Sequence, residues 1–413
     1  MGSTTRSIVF AVLALAGARS IAFAQGAQDA QAPDARRVPP APEATAADRA
    51  PKSPDDARTV MTKAVHFLLK EQKKDGSWCS DAIETLSEAS FGFALETWYC
   101  FKLGANGLAI QALLVQEDTP ELRASLERAL QYFCTTRVPK RGSEWDVDYA
   151  WSSVEGFVAL VAAAQDPRFQ TKEWQTAIRA RAMEFYALLE ATQEPKGGWG
   201  YYEGPVVSRR PTWSTSFTTA SVIPALVDAE TKLRWPVNLK VRAAAVKYVQ
   251  QCALPNGAYE YDLNPIPRIS GGEHINRVKG SLGRIQVCNW ARRKAGDSSV
   301  TNDKLREGLK AFFEDHEFLD EARLRPIPHE GYYAVAAYFY FFGHAYAGQV
   351  IELLPAEERE AWHKKLRGEI AKCQWTDGSF MDFLGSQHMQ VASTSFAILA
   401  LRAGLGPNVP TGR

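Results

Sequence analysis

The sequence predicts an all-α fold, an α/α toroid in which about six helical hairpins form two concentric rings. Two observations predict it. A glycine–aromatic motif recurs at multiples of about sixty residues, and the residues on both sides of each copy have the hydrophobic spacing of helices. The helices before the motif are amphipathic and those after it are apolar around most of their surface, which is typical of half-exposed and buried helices.

The motif is most regular in three copies that follow the pattern Gln-x-x-x-Gly-x-aromatic. A further copy keeps the glycine and the aromatic residue but has Ala253 in place of glutamine. Degenerate copies are expected in the two wide gaps, at Arg141 to Trp145 and between Phe313 and Gly331. The four clear copies are Gln72 to Trp78, Gln193 to Trp199, Ala253 to Tyr259 and Gln374 to Phe380.

Each copy predicts a tight turn between two helices. Its glycine supplies a positive-φ position, its aromatic side chain anchors the hairpin, and its glutamine satisfies backbone groups left open at a helix end. The amphipathic segments are Ala64 to Leu68, Leu122 to Phe133, Ile178 to Leu189, Val241 to Val249, Leu305 to Phe313 and Trp362 to Ile370. The apolar segments are Gly107 to Leu114, Val154 to Ala164, Ser216 to Val227, Ile285 to Ala295, Tyr333 to Leu354 and Ser395 to Leu401.

Residues 1–24 are typical of an export signal. Arg6 gives the positive start, Ile8 to Ala16 is a short apolar run, and Ala22-Phe23-Ala24 resembles a cleavage site. The run is too short to span a bilayer. We expect a secreted or periplasmic protein with no transmembrane span.

The rest of the chain divides by composition. Residues 25–56 are rich in Ala, Pro, Asp and Gln, which predicts a disordered linker. The toroid should occupy residues 57–405, and residues 406–413 form a tail. The 413 residues are 46% hydrophobic, enough for a sizeable core, and the formal net charge is +1. There is therefore no basic field to bind nucleic acid.

These motifs resemble the QW-type repeats of the prenyltransferase and squalene-oxidase repeat family, which includes terpenoid cyclases and protein prenyltransferase β subunits. The resemblance covers nearly all of residues 57–405 and implies a toroid whose chemistry lies on the inner ring. It also implies an acid motif of the form Asp-x-Asp-Asp in a cyclase. Asp146-Val147-Asp148-Tyr149 matches this motif except at its last position, so Asp148 is either a catalytic acid in an altered motif or a helix cap.

The same resemblance implies a zinc site in a prenyltransferase, where an inner helix carries Asp-x-Cys. Gln286-Val287-Cys288 occupies a comparable helix, with glutamine in place of the aspartate. Cys288 is then either a zinc ligand or a buried free thiol. No other cofactor is expected.

Polar residues on the inner helices are candidates for a site, because they face either the axis or a desolvated core. Arg277 and Arg284 lie on one helical face with Cys288, and they bind either internal carboxylates or an anionic ligand. Tyr333, Tyr340 and His344 share another face.

His344 is either a core histidine or a general acid or base, and Tyr340 would act beside it. Tyr333 and its aromatic neighbours would line a lumen suited to a polyene or a sugar. Trp213, before the third inner helix, and His388, at the start of the sixth, are further candidates for ligand contacts.

The sequence therefore favours an exported toroid that binds an elongated or anionic small molecule in an axial cavity. An open cavity lined by Arg277, Arg284, Asp148 and His344 is the expected arrangement. One alternative is a non-catalytic scaffold for a protein partner, with its axis filled by side chains. The other is an exported terpene-type cyclase with an altered acid motif.

Overall fold

Paired helices alternate between two layers in the computed structural model, which describes residues 53–142, 146, 150–200, 213–263 and 274–405. Within these ranges the regular structure is helical, apart from two isolated β-bridges. The helices are α1 (Pro54–Glu71), α2 (Leu86–Ser90), α3 (Leu95–Leu114), α4 (Pro120–Thr135), α5 (Ala150–Gln165), α6 (Lys172–Thr192), α7 (Ser216–Thr231), α8 (Leu239–Gln251), α9 (Leu282–Lys294), α10 (Asn302–Glu314), α11 (Glu317–Ala322), α12 (Phe339–Ile351), α13 (Ala356–Ala371) and α14 (His388–Ala403).

The inner ring is formed by α3, α5, α7, α9, α12 and α14. Each of these helices packs on the next, and α14 packs on α3 to close the circle. The amphipathic helices α1, α4, α6, α8, α10 and α13 surround this ring, and α1 packs against both α13 and α14. The predicted α/α toroid is thereby confirmed. None of the helices in the described ranges is long and apolar enough to cross a bilayer.

The first outer helix begins slightly earlier than the predicted domain boundary at residue 57. Ser53 caps α1 by accepting a hydrogen bond from the Asp56 backbone N–H at 3.1 Å. The Asp56 carboxylate in turn accepts from the Ser53 backbone N–H. This reciprocal capping box, followed by Pro54 in the first turn, starts the helix within what composition assigns to the linker.

The inner helices run parallel to one another. On α3, Gly104 approaches Trp151 and Gly107 approaches the backbone of Glu155, so both helices advance in the same direction. This follows from the hairpin repeat, because each inner helix returns antiparallel to the outer helix before it. The amino-terminal ends of the inner helices, and the long connections that lead into them, therefore lie at one end of the ring.

Each copy of the motif that keeps its glutamine forms a turn that links one hairpin to the next. Its glutamine amide donates both to the carbonyl of the turn glycine and to a carbonyl of the following outer helix. The pairs to the outer helices are Gln72 to Ser125 on α4 (2.9 Å), Gln193 to Val241 on α8 (2.9 Å) and Gln374 to Val60 on α1 (2.8 Å). The last pair closes the outer ring.

Two sequence predictions differ from the structure. The segment between Phe313 and Gly331, expected to hold a degenerate turn motif, contains the short helix α11. The inner segment predicted from Tyr333 begins its helix only at Phe339, because Tyr333 and Ala334 have φ of 56° and 54°, which breaks helical geometry. The other degenerate copy, predicted at Arg141 to Trp145, lies mostly outside the described residues.

Candidate functional site: an aromatic axial cavity

The inner ring encloses an axial cavity of about 260 Å³. Its walls come from α3, α5, α7, α12 and α14, together with the connections that precede α3, α12 and α14. Most of the lining is apolar, and eleven of the described lining residues carry benzene or indole rings. These residues are Phe91, Phe93, Trp98, Phe101, Trp151, Phe217, Tyr338, Phe339, Phe342, Phe383 and Phe396.

The cavity is a narrow slot along the axis. One face of α3 follows it from Trp98 to Leu108, which corresponds to about 15 Å of helix axis. At Gly104 a Cβ would make an ordinary van der Waals contact with Trp151 at 3.5 Å. The slot therefore runs beside α3 and suits an elongated ligand.

The mouth of the slot is built by the connections. Phe91 and Phe93 stack with ring centroids 5.4 Å apart, and Phe383 lies 6.3 Å from Phe91. His329 donates from Nδ1 to the Ala334 carbonyl at 2.7 Å. Its Nε2 lies 3.0 Å from the Tyr338 hydroxyl, so both ring nitrogens face protein groups in the wall.

A polar cluster supports the wall beside the mouth. His388 stacks on Trp98 at 6.0 Å and donates from Nε2 to the Ser80 carbonyl at 2.7 Å. Its Nδ1 lies 3.0 Å from Ser386 Oγ and 3.5 Å from Glu88 Oε1. Burial alone would raise the pKa of Glu88, but hydrogen bonds from His388 and from backbone N–H groups lower that pKa to about 2. Glu88 is therefore a carboxylate that orients His388.

The inner end of the slot holds a different carboxyl group. Glu155, on α5, is 3% exposed, and Gln111 on α3 donates to its Oε2 at 2.9 Å. Burial raises the pKa of Glu155 to about 7, against the lowering effect of that hydrogen bond. Oε1 is buried and has no hydrogen-bond partner among the described residues. The same holds for Trp98 Nε1, another buried wall atom near the mouth.

Neither Arg277 nor Arg284, the arginines predicted from the sequence to face the axis, lines the slot. Arg277 is exposed. Arg284 is 1% exposed and donates to the Ile275 carbonyl, and its guanidinium carbon lies 5.2 Å from the Tyr261 ring centroid and 5.8 Å from that of Phe339. Burial lowers the pKa of Arg284 to about 10. Arg284 thus lies behind the aromatic wall, where π faces take the place of a carboxylate partner.

His344 and Tyr340 lie on the side of α12 opposite the slot. The slot-lining residues of this helix are Phe339 and Phe342, and position 344 is turned about 200° from position 342. His344 donates from Nδ1 to the Tyr340 carbonyl at 2.7 Å, and its Nε2 lies 3.0 Å from His316 Nε2. The expected inward orientation of His344 is wrong because α12 is apolar all round, so its hydrophobic pattern does not identify the axial face.

His316 belongs to a charged cluster between α11, α12 and α13. His316 Nε2 faces His344 Nε2, and His316 Nδ1 lies 3.1 Å from the Asp320 carboxylate. Glu369 lies 3.3 Å from the same Nδ1. These three residues have the spacing of a metal site, but the Lys372 ammonium pairs with both carboxylates and supplies the cation.

Of the remaining residues predicted for the site, those that the structure describes contact other parts of the protein and do not line the slot. Trp213 donates to Asp262 at 2.9 Å and stacks on Tyr261 at 6.2 Å. Tyr333 packs edge-on against Phe318. Cys288 is buried, its Sγ lies 3.8 Å from the Ser216 carbonyl oxygen, and burial raises the pKa of its thiol to about 12. Asp148 lies outside the described residues.

Among the site residues named singly from the sequence, His388 is the one that lines the slot in the part of the chain that the structure describes. The aromatic neighbours of Tyr333 that were expected to line a lumen do so at Tyr338, Phe339 and Phe342. Sequence patterns did not single out Trp98, Phe91 or Phe93. Phe91 and Phe93 are large apolar side chains in a segment too short for a core helix, and this was the signal that could have found them.

Comparison with known proteins supports the fold and no more. No protein-family model and no curated protein matches the chain. Among solved structures, the chain is similar to an α-1,6-mannanase of Salegentibacter sp. HEL1_6 (TM-score 0.54, 10% identity, 85% of this chain and 98% of the other). It is also similar to a D-mannose isomerase (0.53, 13%, 87% and 98%) and to the type II terpene cyclase MstE from Scytonema (0.47, 13%, 85% and 98%).

The two higher-scoring structures have the same α/α toroid architecture as this chain. At such low identity, fold likeness carries no residue-level or chemical correspondence. The chain is an α/α toroid protein, and its membership of the repeat family that its motifs resemble is not established by these matches.

Proposed function

We propose that this protein binds an elongated, largely apolar small molecule lengthwise in its axial cavity. The observation that carries the proposal is the slot itself, about 260 Å³ in volume and walled by aromatic rings. Filling such a slot removes apolar surface of both ligand and wall from water, which stabilises the complex in proportion to the area buried. Ring faces and edges also suit an unsaturated chain.

The lining disfavours the other ligand classes considered from the sequence. No Arg or Lys is among the described residues of the wall, so an anion would enter an apolar slot without a counter-charge. A sugar would need a hydrogen-bond partner for each hydroxyl. Apart from the Tyr338 hydroxyl and the indole N–H groups of Trp98 and Trp151, the described polar wall residues are Glu155, Ser386, His329 and His388. The Tyr338 hydroxyl and the last three of these residues already face protein groups.

A filled axis was the expectation for a non-catalytic scaffold, and the slot argues against that alternative. The aromatic rings pack against one another around the slot without closing it, and Phe217, Phe339 and Phe342 make mutual edge-on contacts on one side. These contacts hold the rings in place before any ligand arrives, which lowers the ordering cost of binding.

The test is to narrow the slot and measure binding of decane. Trp98 and Trp151 lie in the wall, so intrinsic tryptophan fluorescence reports ligand entry. Ala105→Phe places a ring across the middle of the slot and should weaken decane binding by at least about tenfold. Ala124→Phe, on the exposed face of α4, is the matched control and should bind as the wild type does. Absence of decane binding to the wild type, or equal binding by both variants, would refute the proposal.

A further inference from the structure

The inner end of the slot carries the Glu155 carboxyl group, and one of its two oxygens forms a hydrogen bond with the protein. Gln111 donates to Glu155 Oε2 at 2.9 Å, whereas Oε1 is buried and finds no hydrogen-bond partner in the part of the chain that the structure describes. Glu155 lies beside Gly107, near the carboxyl end of α3, and Trp98 is at the beginning of that helix. The free oxygen therefore sits at the far end of the slot from the mouth.

A buried polar atom without a hydrogen bond destabilises the fold, because nothing compensates its loss of hydration. A leucine at position 155 would continue the apolar wall at no such cost. The Gln111 hydrogen bond fixes the carboxyl group, so that Oε1 cannot turn to another protein atom without losing it. Glu155 thus has the properties of a preformed partner for a polar atom that comes from outside the protein.

We propose that the ligand carries a neutral oxygen group, such as a hydroxyl or an ether oxygen, at the end that enters the slot first, and that Glu155 Oε1 hydrogen-bonds this group. This inference rests on the proposed function, since the apolar chain must occupy the slot for its polar end to reach Glu155. The ligand class is then a long-chain alcohol or a related neutral lipid rather than a plain hydrocarbon.

Protonation of Glu155 decides which oxygen groups it can bind. A protonated carboxyl both donates and accepts, whereas a carboxylate only accepts. The groups that face Glu155 from other elements are Gln111 on α3, which is neutral, and Tyr346 on α12, whose pKa burial raises. His388 on α14 and His329 line the same slot. A ligand without oxygen therefore serves as the control for their titration.

The experiment compares decane, decanol and decyl methyl ether at about pH 5 and about pH 9, on either side of the pKa of Glu155. At the lower pH, decanol and the ether should bind about tenfold more tightly than decane. At the higher pH, decanol should keep its advantage by donating to the carboxylate, and the ether should lose it because it has no proton to donate.

Two variants complete the test. Glu155→Gln keeps a donor and an acceptor without titrating, so the ether should keep its advantage at both pH values. Glu155→Leu should bind all three probes alike. Equal affinity of the three probes for the wild type at the lower pH would overturn this inference while leaving the proposed function standing. Failure of all three to bind would remove the proposed function itself.

Discussion

A single backbone conformation explains the glycine of the repeat motif. The four glycines have φ between 85° and 107°, a region that residues with a Cβ rarely adopt. At Gly197 a Cβ would also lie 2.4 Å from the Ala244 carbonyl oxygen of α8, and similar clashes occur at Gly76 and Gly378. At Gly257 nothing lies within 4 Å. Three copies thus need glycine for space as well as for conformation.

This difference gives a matched pair of substitutions. Gly257→Ala should lower the free energy of unfolding by about 1 kcal/mol, the cost of a left-handed residue. Gly197→Ala should lower it by about 3 kcal/mol or more, because the turn must also move away from α8. Urea unfolding measures both. Equal losses of unfolding free energy in the two variants would show that the close contact of Gly197 with α8 does not affect stability.

At the scale of elements, the glutamine of the motif joins hairpins that touch only their neighbours. Gln374 is the most informative of the motif glutamines because it joins the last turn to the first helix. Its hydrogen bond to Val60 links residues more than three hundred positions apart and so closes the ring. Its amide donates to Val60 at 2.8 Å and to Gly378 at 2.9 Å. Without this link, α1 would be held by packing on α13 and α14 and by the hydrogen bond from Arg58 to the Leu405 carbonyl at 3.1 Å.

Gln374→Ala should therefore loosen α1 selectively. Loss of two partly buried hydrogen bonds lowers stability by about 1–2 kcal/mol, and amide hydrogens of α1 should exchange faster than those of α6. Gln193→Ala removes an equivalent pair in the middle of the chain and is the control. If both variants change exchange in α1 equally, the ring is not closed through Gln374.

Sequence reasoning predicted the helices well and the direction of their side chains poorly. Segments such as Val154 to Ala164 and Ser216 to Val227 fall within α5 and α7, because long helical periodicity survives without tertiary information. The same apolar surface that marks a buried helix hides which face meets the axis. For that reason Phe342 and His344 could not be told apart as inward and outward, and the slot could not be assembled from spacing alone.

At the scale of the whole molecule, burial raises the pKa of two carboxyl groups in the described part of the ring. Besides Glu155, Asp382 is fully buried and accepts from Ser393 Oγ at 2.8 Å and from the Phe341 backbone N–H at 3.1 Å. Burial raises the pKa of each to about 7. Between about pH 4 and pH 7 the folded protein therefore binds more protons than the unfolded chain does.

Stability should consequently fall as pH rises through this window and then level off above about pH 7, since the proton excess of the folded state is lost with increasing pH. The opposite contribution comes from Glu88, whose folded pKa is lowered to about 2. It operates below about pH 4.5, where stability falls as the solution becomes more acidic. His344 also contributes in this direction, because burial lowers its pKa and the unfolded chain then binds more protons below about pH 6.5.

Glu155→Gln isolates one part of this behaviour. The wild type should be less stable at about pH 8 than at about pH 5, and the variant should reduce that difference by about 3 kcal/mol, the free energy that corresponds to the raised pKa. Urea unfolding at the two pH values measures it. Glu71→Gln, at an exposed position near the end of α1, should leave the difference unchanged. An unchanged difference in Glu155→Gln would mean that Glu155 is solvated, and the slot would then be wetter and less selective for apolar chains than its aromatic walls indicate.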